Sequence, residues 1–412
     1  MRERASAPYG GLSRERLSHL THVLRGYVER DEIAGIVTLI HRHGVQAYVE
    51  AIGWQDREAR IPIQRDTLFR LMSMTKPVTA VAALTLVEEG RIRLYDPVDS
   101  WLPELAQRMV MRDPDGSPEE VYPAPRSITL HDLLTYRLGI GWGTSSLWPE
   151  IFALMPYPPR LEQEERLDPD AWMARLGALP LVYEPGARWL YQVASDVLGV
   201  LIARITGQPL ETVLRERIFE PLGMVDTSFW IPPEKRSRLA VLYAKAATGE
   251  LTVADHPQST GWAEPPLFPS GGAGLVSTAD DYQRFGRMLL GKGELDGVRL
   301  LSRKTVEAMT TDYLTSEQHN HPFFAFDRYD ADRSGMWTNR GFGYGVAIRT
   351  KQIGLGPSVG SLSWPGAFGT LFLVDPQEHL MATLLLQAGS ANPFYTQVGE
   401  DFLTLTYQAI AD

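Results

Sequence analysis

The spacing of apolar residues changes period along the chain, and those changes outline its elements. After Ser13, Leu17, Leu20, Leu24 and Val28 recur at helical spacing, which predicts an amphipathic helix over residues 13–30. Gly35–His41 and Gln46–Trp54 read as strands joined at Arg42-His43-Gly44, a hairpin signal. A second helix opens at Ser73, and the run Val78–Val87 that follows is mostly apolar. From Tyr95 to about Pro269 the chain is rich in proline and helical in pattern. There Thr129 with Asp132 at the third helical position predicts a capped start. Leu190–Thr206 and Leu210–Leu222 predict two further helices. Beyond a glycine-rich loop, Pro269–Gly274, Thr278 with Asp280 and Asp281 opens a helix ending near Gly291. Gly341–Thr350, Val359–Trp364, Thr370–Asp375 and His379–Leu386 read as strands, the last two turning at Asp375-Pro376. Asn392-Pro393 starts a final helix with Phe394, Val398, Phe402, Leu405 and Ala409 on one face.

Strands therefore sit at both ends of the chain and helices in the middle. This predicts an α/β (α+β) protein in which both termini build one antiparallel sheet flanked by helices, residues 1–93 and 270–412. Residues 94–269 would form an inserted, mostly helical domain, and the seam between the two parts is a natural place for a pocket. Forty Lys and Arg against fifty Asp and Glu, a net charge of -10, argue against a nucleic-acid partner. The absence of cysteine excludes disulfides, thiol catalysis and thiolate metal sites. Met1-Arg2-Glu3-Arg4 carries both signs of charge with no apolar stretch behind it, and Val78–Val87 is too short to span a bilayer. A cytoplasmic chain with no membrane partner is the expectation. His319 and His321 form a close pair, as do His41 and His43, but no carboxylates cluster with them, so no metal is expected. Thr315–Asn339, polar with Phe323, Phe324, Phe326 and Trp337, suits a lid or a surface insertion equally.

The chemistry starts at Ser73-Met74-Thr75-Lys76. Positions three apart share a helix face, so the Ser73 hydroxyl and the Lys76 amine can meet at the first turn. Pro77 is tolerated there because an N–H in the first turn has no intrahelical partner. A desolvated neutral lysine can take the proton of a serine hydroxyl. The same four letters also suit a capping serine and a solvated lysine. A second stretch, Pro185 to Val193, places Tyr191 near a helix start. Its phenol could relay protons beside a Lys–Ser pair, or could be a half-buried ring with a satisfied hydroxyl. A third, Ser363-Trp364-Pro365-Gly366-Ala367-Phe368-Gly369, has small residues that let a substrate lie against the backbone, where an N–H can serve an oxyanion.

These three stretches, in this order, resemble the serine β-lactamase and penicillin-recognition superfamily, and most of all its family VIII carboxylesterases. Supporting text includes Asp66-Thr67-Leu68-Phe69-Arg70, Ile92 to Val98, Ile128 to Thr135, Pro221-Leu222-Gly223-Met224 and Pro269 to Gly274. The resemblance runs from about Ser13 to the C-terminal helix and implies a β-lactamase/transpeptidase-like fold. It implies Ser73 as nucleophile, Lys76 as its lysine and Tyr191 as the first position of Tyr-x-Asn. It also implies substrate contacts from Trp364, Pro365 and Gly366, the place of Lys-Thr-Gly, and an oxyanion hole from the N–H groups of Ser73 and Ala367. Val193 stands where the lactamases keep Asn, and Trp364-Pro365 where they keep Lys-Thr. Both departures remove polar handles for a lactam and favour neutral esters. The implied protein is a serine carboxylesterase that needs no cofactor and takes a small ester as its partner. The alternatives are an acyltransferase using the same acyl-enzyme, then a β-lactamase or D-amino-acid peptidase. Gly356-Pro357-Ser358-Val359-Gly360 fits a G-x-S-x-G elbow, but a strand rather than a helix should follow it, so a turn is expected there.

Overall fold

Ser13 fixes where the first helix begins. Its hydroxyl accepts from the Arg16 N–H, and α1 (Arg14–Glu29) follows with Leu17, Leu20, Leu24 and Tyr27 buried. These details come from a computed structural model that describes residues 8–143, 145–156, 166–320, 339–352, 354–389 and 396–412.

The sheet is built from both ends of the chain. β1 (Gly35–Arg42) and β2 (Val45–Asp56) are joined by His43 and Gly44, with φ of 50° and 82°. A two-residue turn of that kind matches the strand twist. β3 (Ile61–Pro62) extends this edge. The C-terminal part supplies β4 (Arg340–Phe342), β5 (Ala347–Arg349), β6 (Leu362–Gly366), β7 (Thr370–Asp375) and β8 (Leu380–Leu386). The eight strands run β4-β5-β6-β7-β8-β1-β2-β3, with Ile36 opposite Leu386 where the two ends of the chain meet. Every pairing is antiparallel.

Both faces of the central strands are covered, so these strands are mostly apolar, with Thr38, Thr370 and Thr383 among their buried polar residues. Leu371, Leu373, Leu384 and Ile36 pack with α1 and with α6 (Gln397–Gln408), which carries Phe402. Phe372, Val374, Leu385 and Val37 face the other way, toward α2 (Thr75–Glu88) and α5 (Ala279–Leu290). Each such side chain contributes about 1.5–3 kcal/mol of burial. α2 is buried from Thr75 to Leu86 on all sides and packs on α4 (Val193–Thr206), so it lies between the sheet and the helical layer. The capped start at Thr129 opens α3 (Leu130–Leu134), with the Thr129–Asp132 exchange complete.

Several boundaries differ from the sequence pattern. α4 begins at Val193 rather than Leu190, because Gln192 adopts φ 77°, ψ -68°. Gly341–Thr350 is not one strand but the hairpin β4–β5, turned by Gly345 at φ 73°. β6 starts at Leu362 and runs through Pro365 to Gly366. Leu210–Leu222 is helical but widens to a π turn over Arg215–Phe219. Pro221 lacks an N–H and clashes with a carbonyl four residues back, and the wider turn accommodates it. The middle of the chain also carries short ribbons, Met109–Met111 with Val121–Pro123 and Leu242–Lys245 with Leu251–Asp255. The final helix spans Gln397–Gln408, and its expected first residues, with Phe394, lie outside the described ones. So do His321, Phe323, Phe324, Phe326 and Trp337 of the stretch that suited a lid. Among the described residues no single helix is long and apolar enough to cross a membrane.

Candidate active site

A short strand, Phe69–Arg70, pairs with Val276–Ser277 and leads the chain to the seam below α2. Met72 then takes φ 51°, and a 3₁₀ turn, Met72–Met74, runs into the helix. Ser73 is thereby presented at the turn, with Lys76 on the first turn of α2. Tyr282 of α5 donates to the Met74 carbonyl at 2.7 Å and steadies this corner from below.

The Ser73 hydroxyl has two close neighbours. Lys76 Nζ lies 3.0 Å from Ser73 Oγ and the Tyr191 hydroxyl lies 2.6 Å from it. Lys76 also donates to Gln192 Oε1 at 2.7 Å and to the Gly272 carbonyl at 2.6 Å. Its Nζ sits 4.6 Å from the centre of the Tyr191 ring. Burial pushes the Lys76 amine down to about 7, and the negative charge of Asp196 holds it up in part.

Tyr191 is placed by a bridge to Trp142, whose N–H donates to the Tyr191 carbonyl at 2.9 Å. Rings enclose it: Trp189 stacks at 5.8 Å, and Trp142 meets it edge-on at 5.4 Å. The Trp364 indole N–H donates to the Tyr191 oxygen at 3.1 Å. The expected contact residue Trp364 thus reaches the site through Tyr191. Val193 is buried at the start of α4, and Pro365 and Gly366 are buried in β6 opposite Leu371 and Thr370. A Cβ on Gly366 would fall 2.1 Å from the Leu71 carbonyl oxygen, so only glycine lets β6 approach the turn before Ser73 this closely. Thr370 Oγ1 closes the same junction, donating to Leu71 O at 2.9 Å. Ala367 follows directly and is exposed.

The other candidates lie apart. Ser358 sits in the loop before β6, where its own N–H donates to Asp375 at 3.0 Å, and no helix follows it. His319 pairs with Asp312 at 2.8 Å. Among the described residues no three His, Cys, Asp or Glu gather as a metal site would require.

Sequence reasoning missed Gln192, Asp196, Ser270 and Gly272. Asp196 is buried on α4 and accepts from Ser270 Oγ at 2.6 Å, from the Gly272 N–H at 3.0 Å and from Gln192 Nε2 at 3.2 Å. Two signals pointed to them. An acid interrupts the apolar run of α4, and Pro269–Gly274 carried the family resemblance without an assigned task.

A serine in contact with a buried lysine and a tyrosine, at the seam of an antiparallel sheet and a helical layer, defines a protein of the β-lactamase/transpeptidase-like fold. The chain belongs to the Beta-lactamase family, whose model matches residues 20–399. It is 40% identical over 364 residues to Protein Rv1367c of Mycobacterium tuberculosis, covering 86% of each chain. Over 374 residues it is 31% identical to Esterase EstB of Burkholderia gladioli, again covering 86% of each. Its fold matches EstCE1, a hydrolase with promiscuous acyltransferase activity, at a TM-score of 0.76 and 25% identity, over 97% of this chain and 99% of that one.

Proposed function

We propose that this protein is a serine carboxylesterase that hydrolyses short-chain or small neutral esters through an acyl-enzyme on Ser73. The observation that carries the reading is the Ser73 hydroxyl held at once by Lys76 Nζ at 3.0 Å and the Tyr191 hydroxyl at 2.6 Å. A neutral amine has two N–H groups and one lone pair. At Lys76 the two N–H groups meet pure acceptors, Gln192 Oε1 and the Gly272 carbonyl, which leaves the lone pair for the Ser73 proton.

Ser73 Oγ attacks the ester carbonyl as its proton passes to Lys76. The N–H groups of Ser73 and Ala367 receive the oxyanion, each worth about 3 kcal/mol in comparable sites. The close junction of β6 with Leu71 supports that pairing. Tyr191, bonded to Ser73 Oγ, lies on the path by which a proton reaches the leaving alkoxide, and water then releases the acid. Val193 offers no amide to a lactam, and Trp364 is an uncharged donor spent on Tyr191, so neutral esters fit better than cephalosporins or penicillins. The similarity to EstB supports the ester class.

Transfer of the acyl group to an alcohol is the second reading. It is favoured by the likeness to EstCE1 and by the aromatic rings crowding Tyr191, which limit water. The test pairs a p-nitrophenyl butyrate assay with nitrocefin turnover. Ester hydrolysis well above lactam turnover, lost in Ser73→Ala and retained in Ser358→Ala, is expected. Lactam turnover equal to or above that of the ester, or near-normal activity in Ser73→Ala, overturns the reading. Product analysis with a competing alcohol separates hydrolysis from transfer.

A further inference from the structure

We propose that Asp196 is a positioning residue for the reaction: it fixes which end of the Gln192 amide faces Lys76, and so how readily Lys76 takes the Ser73 proton. The inference rests on the reading of Lys76 as the base of Ser73.

A side-chain amide has a donor end and an acceptor end, and nothing in Gln192 itself decides which one turns toward the lysine. Asp196 decides it. Burial pushes the Asp196 carboxyl up, but Gln192, Ser270 and the Gly272 N–H all donate to it and oppose that shift, so it acts as an acceptor. It takes the Gln192 NH₂ at 3.2 Å, and the amide oxygen is left to face Lys76 Nζ at 2.7 Å. The carboxylate is itself fixed by two further neutral donors, Ser270 Oγ at 2.6 Å and the Gly272 N–H at 3.0 Å. Gly272 returns to the same lysine through its carbonyl at 2.6 Å, so two chains of contacts run from Asp196 to Lys76. A Cβ at position 272 would lie 2.4 Å from Gln192 Nε2 and 3.1 Å from Asp196 Oδ1, so a side chain there would displace the amide from this arrangement.

The backbone gives an independent sign. Gln192 sits at φ 77°, ψ -68°, and the Val193 N–H donates to the Tyr191 carbonyl at 3.1 Å. That is a γ-turn of the rare, strained kind, unfavourable for a non-glycine residue. It lets two adjacent side chains, Tyr191 and Gln192, both aim inward, one at Ser73 and one at Lys76. Glycine would adopt this turn without strain, but it has no amide to offer.

Among the described residues, the titratable groups facing Lys76 are Ser73 from its own turn, Tyr191 from the loop before α4, and Asp196 from α4. The Pro269–Gly274 loop presents a carbonyl, and β6 presents the neutral Trp364 indole by way of Tyr191. The charge acting on Lys76 therefore comes from Asp196, and it favours the ammonium. In Asp196→Asn that charge is gone and the Gln192 amide is free to turn its NH₂ toward the lysine, so both changes disfavour the ammonium. Gln192→Glu does the reverse and brings a negative charge next to Lys76.

The test measures kcat/KM for p-nitrophenyl butyrate against pH, and in parallel the pH dependence of Ser73 phosphonylation by a fluorophosphonate. In Asp196→Asn the acid limb should move down by about one pH unit or more, with kcat lowered about tenfold or more and KM changed little. In Gln192→Glu the limb should move up. A folded Asp196→Asn enzyme with an unmoved limb, or two variants shifting in the same direction, overturns the proposal. Should Asp196→Asn not fold, Ser270→Ala decides, because it removes a donor that fixes the same carboxylate without touching Lys76: a downward shift supports the proposal and an unmoved limb overturns it. Wild-type protein that neither turns over the ester nor is labelled at Ser73 removes the esterase reading and this proposal together. A wild type that does both, with unmoved limbs in the variants, removes this proposal alone.

Discussion

At position 364 an indole N–H, not an ammonium, meets the Tyr191 oxygen. A neutral donor steadies that oxygen without adding charge to the pocket. Trp364→Phe removes the bond while leaving a ring to pack against Phe342 and Tyr191. A neutral hydrogen bond is worth about 1 kcal/mol, so kcat for a butyrate ester should fall about fivefold with KM little changed. An unchanged kcat would show that the indole does not engage Tyr191 during turnover. Lys76 and Tyr191 meet on the same oxygen, and groups that act as a unit give losses that do not add. Lys76→Ala and Tyr191→Phe should each lower kcat about a hundredfold or more. The double variant should be little worse than the poorer single one, and fully additive losses in steady-state kinetics would separate the two residues. Ser73, Lys76 and Tyr191 were legible because a spacing of three and a family motif mark them. Gln192 and Asp196 were not. No glycine or asparagine announces the turn at 192, and the amide reaches a lysine 116 positions away in sequence, a contact that no local pattern encodes.

Elements were legible where a single period and a cap agreed, and illegible where backbone conformation broke the period. α1 and α5 start at Ser13 and Thr278, each accepting an N–H of the first turn, as their sequences imply. α2 is different. With Thr75 to Leu86 all buried it has no polar face, and its place is set by what surrounds it rather than by a stripe. The β4–β5 hairpin is one of those surroundings. Its expected continuous strand is interrupted at Gly345, where φ is 73° and a Cβ would come within 2.8 Å of Ala80 Cβ on α2. Gly345→Ala therefore combines an unfavourable φ with pressure on the helix that carries Lys76. It should lower stability by about 1 kcal/mol or more in urea denaturation, and lower kcat through the displaced helix. Unchanged denaturation and kinetics would mean that the hairpin yields and does not hold α2. Thr278→Ala serves as the contrast: a lost cap worth about 1 kcal/mol on α5, where the Thr278 side chain accepts the Asp281 N–H.

Across the whole molecule the two ends of the chain are tied together: the Ser13 N–H donates to the Ala409 carbonyl at 2.7 Å, the Ala411 N–H donates to the Gly11 carbonyl at 3.0 Å, and a buried arginine adds a side-chain tie. Arg42 of β1 is buried and donates to the Gly10 carbonyl at 2.8 Å, to Asp412 at 2.8 Å and to Glu378 at 3.0 Å. Those ties and the β1–β8 pairing are why a sheet assembled from both termini holds, and strands at both ends of the sequence were the one clue to it. Two buried histidines set how the assembled molecule meets acid. His41 lies in β1 near Arg287 of α5, and His131 lies in α3 beside Arg137, so one ring sits in the sheet and the other in the helical layer. Burial first, and then the neighbouring guanidinium, pushes each imidazole down to about 4. Above pH 6.5 these rings are neutral in both the folded and the unfolded chain. As pH falls from 6.5 toward 4, the unfolded chain binds protons that the folded rings refuse, and stability drops with it. The contribution is present above the unfolded value and is lost as pH falls through the folded one, on the order of 1–3 kcal/mol for each ring. Asp281, held up to about 6 by burial, works the other way over part of the same range, because its folded carboxyl binds a proton that the unfolded one releases. The discriminating measurement is therefore the change in slope between variants and not the slope of the wild type alone. Urea denaturation at pH 7.0 and 4.5 should show a smaller loss of stability in His41→Gln and in His131→Gln than in the wild type. The double variant should show the smallest loss. Equal losses in all four proteins would mean that both rings take up protons as freely in the folded chain as in the unfolded one.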